Sequence, residues 1–320
     1  MFLGIEIGGT KLQIGLGPGD GALAGLWRGS VDVARGGEGI REQIVRETPI
    51  LLERAGLSRT QVRGIGVGFG GPVDDADQTV IKSHQIAGWD NFPLAKWLTE
   101  LLGWPAALGN DADVAGLAEA LFGAGKGLSP VYYITIGSGI GGGLIINGEI
   151  YRGCGRGAAE IGHLRVAVEN DSEVCVTWPL LEELASGWAI ARQAREFARQ
   201  NPYGPLYQMV HGDVDQLTAQ HVGAAVQQGD ACAALVMEQA IQHLARAICH
   251  VIALLCPRRI VIGGGVALIG EKALFVPLRK KVQTWVFQPF AGCYEIVPAA
   301  LGEEVVVHGA LALARKRFGA

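Results

Sequence analysis

The 320-residue chain has no Cys-x-x-Cys pair, no cluster of basic residues and no long uncharged apolar run. Its six cysteines (Cys154, Cys175, Cys232, Cys249, Cys256, Cys293) are scattered. That spacing excludes a disulfide framework and reads as reduced thiols, which predicts a cytoplasmic protein. The start, Met1-Phe2-Leu3-Gly4-Ile5-Glu6, shows neither a basic leader nor a cleavage-like site, so no signal peptide is expected. No apolar stretch is long enough to span a bilayer, so no membrane partner is expected. A net charge of −4 without a basic patch argues against nucleic acid as a partner. What the chain has in excess is glycine, at 48 residues, in short clusters between apolar runs. Clusters of that kind predict tight turns and ligand sites lined by backbone. With 49% apolar residues, the chain can bury the core of one large domain or two medium ones.

Two stretches stand out because they repeat one device. Leu3 to Ile7 is an apolar run carrying one acid; it stops at Gly8-Gly9-Thr10 and resumes from Lys11 to Ile14. This predicts a strand, a turn and an antiparallel strand. The turn is an ordinary hairpin or a cradle for phosphate oxygens, since glycine lets backbone N–H groups approach a ligand and Thr10 adds a hydroxyl. Ile134-Thr135-Ile136-Gly137-Ser138-Gly139 does the same at the head of the second half. An internal repeat of this kind predicts two α/β lobes with a ligand between them.

Between these heads, strands are expected at residues 23–28, 62–69 and 106–108. Helices are expected from Ile40 to Ala55, with Pro49 starting, kinking or breaking that element, and from Leu94 to Leu102. Asn110-Asp111 caps a helix running to Phe122. In the second half, helices are expected over 180–200 and 230–255, with an exposed polar excursion over 200–216. A buried strand Arg259–Ile262 ends in Gly263-Gly264-Gly265, and a final helix runs from Glu304 to Phe318.

Taken together and in order, these motifs resemble the ROK family (repressor, open reading frame, kinase), over essentially the whole chain. The matching stretches are Gly8-Gly9-Thr10-Lys11, Gly70-Gly71-Pro72-Val73-Asp74, Asn110-Asp111-Ala112, Gly137 to Gly143, Glu160-Ile161-Gly162-His163 and Gly263-Gly264-Gly265-Val266. The resemblance implies an α/β, two-lobed actin-like ATPase (hexokinase/ROK) fold with an internally repeated βββαβα core. Residues 1–116 with the C-terminal helix 303–320 would form the smaller lobe and 117–302 the larger, with sugar and ATP bound between. It also implies ATP-dependent phosphorylation of a hexose or N-acetylhexosamine, glucokinase-like and at O6, by a homodimer or homotetramer.

Asp111 is then the general base, and the alternative for Asn110 or Asp111 is a helix cap. Sugar hydroxyls both donate and accept, so carboxylates, an amide and an imidazole suit them. Asn110, Asp111, Glu160, His163, Glu182 and Gly71 are the implied sugar contacts, against solvated or core roles for each. Glu182 is preferred to Glu183 on the spacing of Leu181-Glu182-x-x-Ala185-Ser186-Gly187. ATP is assigned to Gly8, Gly9, Thr10, Lys11, Gly137, Ser138, Gly139, Gly264 and Gly265, and Mg²⁺ to Glu6 through water. Lys11 is equally readable as a solvated strand lysine. Gly125-Lys126-Gly127 lacks the Ser/Thr of a Walker loop.

The chain departs from the family at three places. Where most members have a zinc-binding Cys-x-Cys-Gly-x-x-Gly-Cys, the interval reads Glu173-Val174-Cys175-Val176-Thr177-Trp178-Pro179-Leu180. A closed zinc site needs about four ligands, so no structural zinc is predicted. Glu6 stands where aspartate is usual, and Gln85 near a usual asparagine. The alternative function is a sugar-binding protein or sensor with little or no turnover. The repressors of the family carry an added helix-turn-helix ahead of the first phosphate motif, and here that motif begins at Gly8.

Overall fold

The computed structural model describes residues 1–83, 85–169 and 176–319. The chain opens with β1 (Phe2–Ile7), β2 (Lys11–Gly17) and β3 (Gly25–Ser30), an antiparallel meander in which Ile7 faces Leu12 across the Gly8–Thr10 turn. Helix α1 (Gly36–Arg54) follows, then β4 (Ile65–Phe69), the short pair β5 (Val73–Asp74) and β6 (Thr79–Val80), and α2 (Leu94–Leu102). Strand β7 (Ala106–Asn110) leads directly into α3 (Asp111–Leu121). The first sheet has the order β3-β2-β1-β4-β7, with β1, β4 and β7 parallel. Strands β1 and β4 are buried at every position, as expected of strands covered on both faces.

Next come β8 (Val131–Ile136), β9 (Ile140–Ile146) and β10 (Glu149–Ile150), then β11 (Val168–Glu169) and β12 (Val176–Thr177). Asn147 and Gly148 both have positive φ (53° and 75°), the form required by the tight hairpin their sequence predicts. The helical run is α4 (Leu181–Ala185), α5 (Gly187–Gln200), α6 (Pro205–Met209), α7 (Ala219–Gln227) and α8 (Ala231–Leu255). Strand β13 (Arg259–Gly263), α9 (Val276–Trp285), β14 (Glu295–Pro298) and α10 (Val305–Phe318) complete the chain. The second five-stranded sheet has the order β10-β9-β8-β13-β14. Among the described residues no helix is long and apolar enough to cross a membrane.

The chain divides into two compact units. One comprises Met1–Tyr133, Gly143–Ala159 and Ala300–Ala320; the other comprises Ile134–Gly142 and Glu160–Ala299. In the first unit, α10 returns to pack on β1, β4 and α3. Two glycines permit that approach: a Cβ on Gly66 would stand 1.8 Å from the Ala310 carbonyl, and one on Gly309 1.8 Å from that of Val114. Glu119, fully buried in α3, fixes the chain entering α10. Its Oε1 accepts from Ala300 and Leu301 N–H at 2.9 Å each, and its Oε2 from Ala124 N–H at 2.7 Å.

Three local expectations are corrected. Helix α1 runs unbroken through Pro49, which lies on its exposed side beside Val45. The carbonyl that loses its donor to proline there can turn to water. The 180–200 stretch is two helices, parted at Ser186, whose hydroxyl caps α5 through Ala189 N–H. The 200–216 excursion contains α6 and buries Leu206 and Val210.

Candidate active site

In the first unit the site begins at the junction of β7 and α3. Asn110 is the N-cap: its side-chain oxygen accepts from Ala112 N–H (2.8 Å) and Asp113 N–H (3.3 Å). Its Nδ2 donates to the Gly71 carbonyl at 3.0 Å, tying the Gly70–Gly71 turn to the helix start. Asp111 lies one residue inside the cap. Its Oδ1 accepts from Ala112 N–H at 2.9 Å, and its Oδ2 lies 3.5 Å from where a Cβ on Gly70 would be, on the side of Gly8.

The Gly8–Lys11 turn is closed by Gly8 N–H donating to the Lys11 carbonyl at 3.0 Å, with Thr10 exposed. Gln85 lies over it, its Oε1 1.4 Å from the position a Cβ on Gly9 would take. Glu6, beneath the turn, is only 6% exposed. The Lys11 ammonium is 3.0 Å from its Oε1, and Gln13 Nε2 donates to its Oε2 at 2.8 Å. Burial raises the Glu6 pKa, Lys11 pulls it down, and the charge of Asp111 pushes it up again. Lys11 also donates to the Glu303 carbonyl at 3.3 Å, so this lysine is turned back along its own strand. Both Glu6 oxygens already have donors, one of them an ammonium, so an ion here would reach Glu6 only through water. Mg²⁺ habitually keeps several waters. Glu6 and Asp111 are the residues that would face it.

In the second unit, Gly137 N–H donates to the Gly139 carbonyl (3.0 Å), and Gly187 N–H, at the start of α5, donates to that of Gly137 (2.8 Å). Gly264 (φ +84°) brings the turn after β13 against the same loop, so a Cβ there would strike the Ile136 carbonyl at 2.6 Å. These turns border a cavity of about 450 Å³ lined by Gly137, Ser138, Trp188, Arg195, Thr218 and Gly265, among others. Its volume is in the range of small-molecule sites. Trp188, Ala191 and Arg195 are spaced i, i+3, i+7 on one face of α5, and Thr218 and Gln220 stand at the start of α7. None of these was singled out in the sequence. The available signal was the helical spacing that follows the Ser186-Gly187 cap.

Glu182 Oε2 accepts from Ile140 N–H at 3.4 Å and lies 2.9 Å from where a Cβ on Gly139 would stand, so the phosphate-type loop and Glu182 share one space. Glu183 instead caps α4, accepting from Leu180 N–H at 2.8 Å. Glu160, His163 and Glu182 are electrostatic neighbours. Protein packed around the Glu160 carboxyl raises its pKa although the side chain reaches water; His163 lowers it and the like charge of Glu182 raises it. The His163 segment is held by backbone: Val166 N–H donates to Pro179 (3.0 Å) and Leu181 N–H to Leu164 (2.8 Å). Trp178 is 57% exposed and adds little packing. Glu173 and Cys175, on which the zinc expectation turned, lie outside the described residues. Among the described residues no group of three or more His, Cys, Asp or Glu is placed to hold a metal ion.

The model of the ROK family matches residues 2–317. A glucokinase from Thermotoga maritima is 32% identical over 99% of this chain and 98% of its own length. A ROK family glucokinase from Streptomyces griseus, solved with glucose and AMPPNP, superposes with a TM-score of 0.81 at 31% identity, covering 98% of this chain and 99% of that one. A xylose repressor from Caldicellulosiruptor bescii is 24% identical over 85% of this chain and 68% of its own length. The two-sheet α/β architecture is therefore the actin-like ATPase fold of the ROK glucokinases, and the chain belongs to the ROK family.

Proposed function

We propose that the chain transfers the γ-phosphoryl group of ATP to the 6-hydroxyl of a hexose or N-acetylhexosamine, with Asp111 as general base. At the coarser level it is an ATP-dependent sugar kinase, as its glucokinase relatives are named. The observation that carries the finer reading is the division of labour at α3. Asn110 supplies the cap across the first helical turn, so Asp111 is not needed for it. In phosphoryl transfer the protein mainly positions groups and stabilises charge. Asp111 would take the proton of the attacking hydroxyl, Glu160, His163 and Glu182 would hold the other hydroxyls, and Asn110 ties the Gly71 turn to the start of α3. The glycine turns at Gly8–Thr10 and Gly137–Gly139 would offer backbone donors to phosphate oxygens, and Gly264 and Gly265 would border the adenosine. Mg²⁺, facing Glu6 and Asp111 through water, would neutralise phosphate charge.

The common strand order of the two sheets supports the internal repeat. A cytoplasmic homodimer or homotetramer is proposed on the family resemblance. Coupled ADP release measured over glucose, mannose, fructose, N-acetylglucosamine and N-acetylmannosamine tests the reading, with phosphorus NMR locating the ester. Sugar-dependent ADP and a 6-phosphate are expected. Sugar binding without ADP release from any of them would favour the sensor and overturn the kinase.

A further inference from the structure

Ala159, immediately before Glu160, has a φ of +68°. Alanine seldom holds this left-handed conformation, because its Cβ crowds the following carbonyl. A residue so strained persists where its surroundings over-determine it. The chain approaching it contains Gly153, Gly155 and Gly157, with φ of 56°, 98° and 94°. This loop is stitched to the residues just after the Gly70–Asp74 motif. Arg152 pairs with Asp75 at 2.8 Å, and Asp75 N–H donates to the Gly155 carbonyl at 3.0 Å. At Ala159 itself the holding contact is the phenol of Tyr132, which donates to the Ala159 carbonyl at 2.7 Å. Tyr132 lies in β8 and is only 2% exposed.

The Ala159 carbonyl and the Glu160 N–H belong to one rigid peptide plane. Fixing that oxygen fixes the N–Cα bond of Glu160, and with its φ of −69° this sets the direction in which the side chain leaves the loop. We infer that Tyr132 is a positioning residue for the sugar: its hydroxyl holds the Ala159–Glu160 peptide so that Glu160 is presented to the substrate hydroxyls. This rests on Glu160 being a sugar ligand, as proposed above.

Tyr132→Phe removes the hydroxyl and keeps the ring. With the hexose of highest turnover in the panel, KM for sugar should rise about 5- to 10-fold, the factor expected for one neutral hydrogen bond. KM for ATP and the melting temperature should stay near wild type. Adding Ala159→Gly to Tyr132→Phe should recover most of the sugar KM, because glycine adopts the same φ without strain. Ala159→Val alone, which disfavours that φ and leaves the hydroxyl in place, should also raise KM for sugar and not for ATP; it serves as the test if Tyr132→Phe does not fold. Glu160→Gln separates the two levels. If it weakens sugar binding while Tyr132→Phe does not, the positioning role is overturned and Glu160 keeps its own. If Glu160→Gln changes nothing, both fall. Equal rises in both KM values with a lowered melting temperature would mean a structural role only, and would also overturn the proposal.

Discussion

The Lys11 ammonium stands 3.0 Å from a Glu6 carboxylate whose side chain is only 7% exposed, while Lys11 itself is 44% exposed. A surface cation thus serves as counter-ion to a buried acid. Glutamate in place of the family's aspartate carries its carboxyl one methylene further from the backbone.

The pair predicts a pH dependence of stability. Burial raises the Glu6 pKa above its ordinary 4.5, and Lys11 opposes the rise. With a raised folded pKa, the unfolded chain gives up this proton first as pH climbs. The contribution of Glu6 to stability is therefore complete below about pH 4.5 and is lost as pH rises through the folded value. Lys11→Met should enlarge that loss, and Glu6→Gln should abolish it. Melting temperatures from pH 4 to 8 should diverge accordingly, with Lys11→Met lowest at neutral pH. Parallel profiles for Lys11→Met and wild type would remove Lys11 from this role.

Asp111→Asn should lower kcat by about 10²- to 10⁴-fold, the usual contribution of a general base. Sugar affinity and melting temperature should change little, because Asn110 does the capping. Asn110→Ala should behave differently, losing about 0.5–2 kcal/mol of stability with the cap together with the link to Gly71. Single-turnover kinetics and calorimetric sugar titration check the first, and urea unfolding the second.

Gly139→Ala places a methyl group 2.9 Å from Glu182 Oε2. The carboxylate must yield, so KM for sugar should rise several-fold even though the substitution lies in the phosphate-type loop. Kinetics with sugar and ATP varied in turn would detect this; an effect confined to ATP would separate Glu182 from the sugar.

Glu119→Ala removes a carboxylate that accepts from three backbone N–H groups. The expected loss is about 3–5 kcal/mol, since each bond to a charged group is worth roughly 1.5–3 kcal/mol and partial rehydration offsets part of it. Denaturant unfolding should show a lower midpoint with an unchanged slope.

The strands, the glycine turns and the Asn110–Asp111 cap were legible because each rests on local chemistry: alternation or continuity of apolar residues, glycine where the backbone has no room for a Cβ or, as at Gly148 and Gly264, has positive φ, and a short polar side chain at a helix start. Helices α7 and α9 and strand β14 were not, since their apolar residues match neighbours remote in sequence. The choice between Glu182 and Glu183 rested on motif spacing, whereas in the folded chain the two differ in what they touch, Glu183 capping α4 and Glu182 meeting Gly139. The partners of Lys11 and Tyr132 were not legible. An ion pair folded back along a strand and a phenol reaching a carbonyl in a later loop leave no periodic trace.

Helix α10 covers Phe2 with Val307, Leu311 and Ala314. Strand β1 is therefore fully sheltered only after the chain between it and α10 has been synthesised. During translation, the growing chain must carry that apolar strand incompletely covered for roughly 15–60 s at ordinary elongation rates, until residues 305–318 have been made. The same helix that closes the native unit therefore sets the time at which this part of the nascent protein ceases to be vulnerable to aggregation.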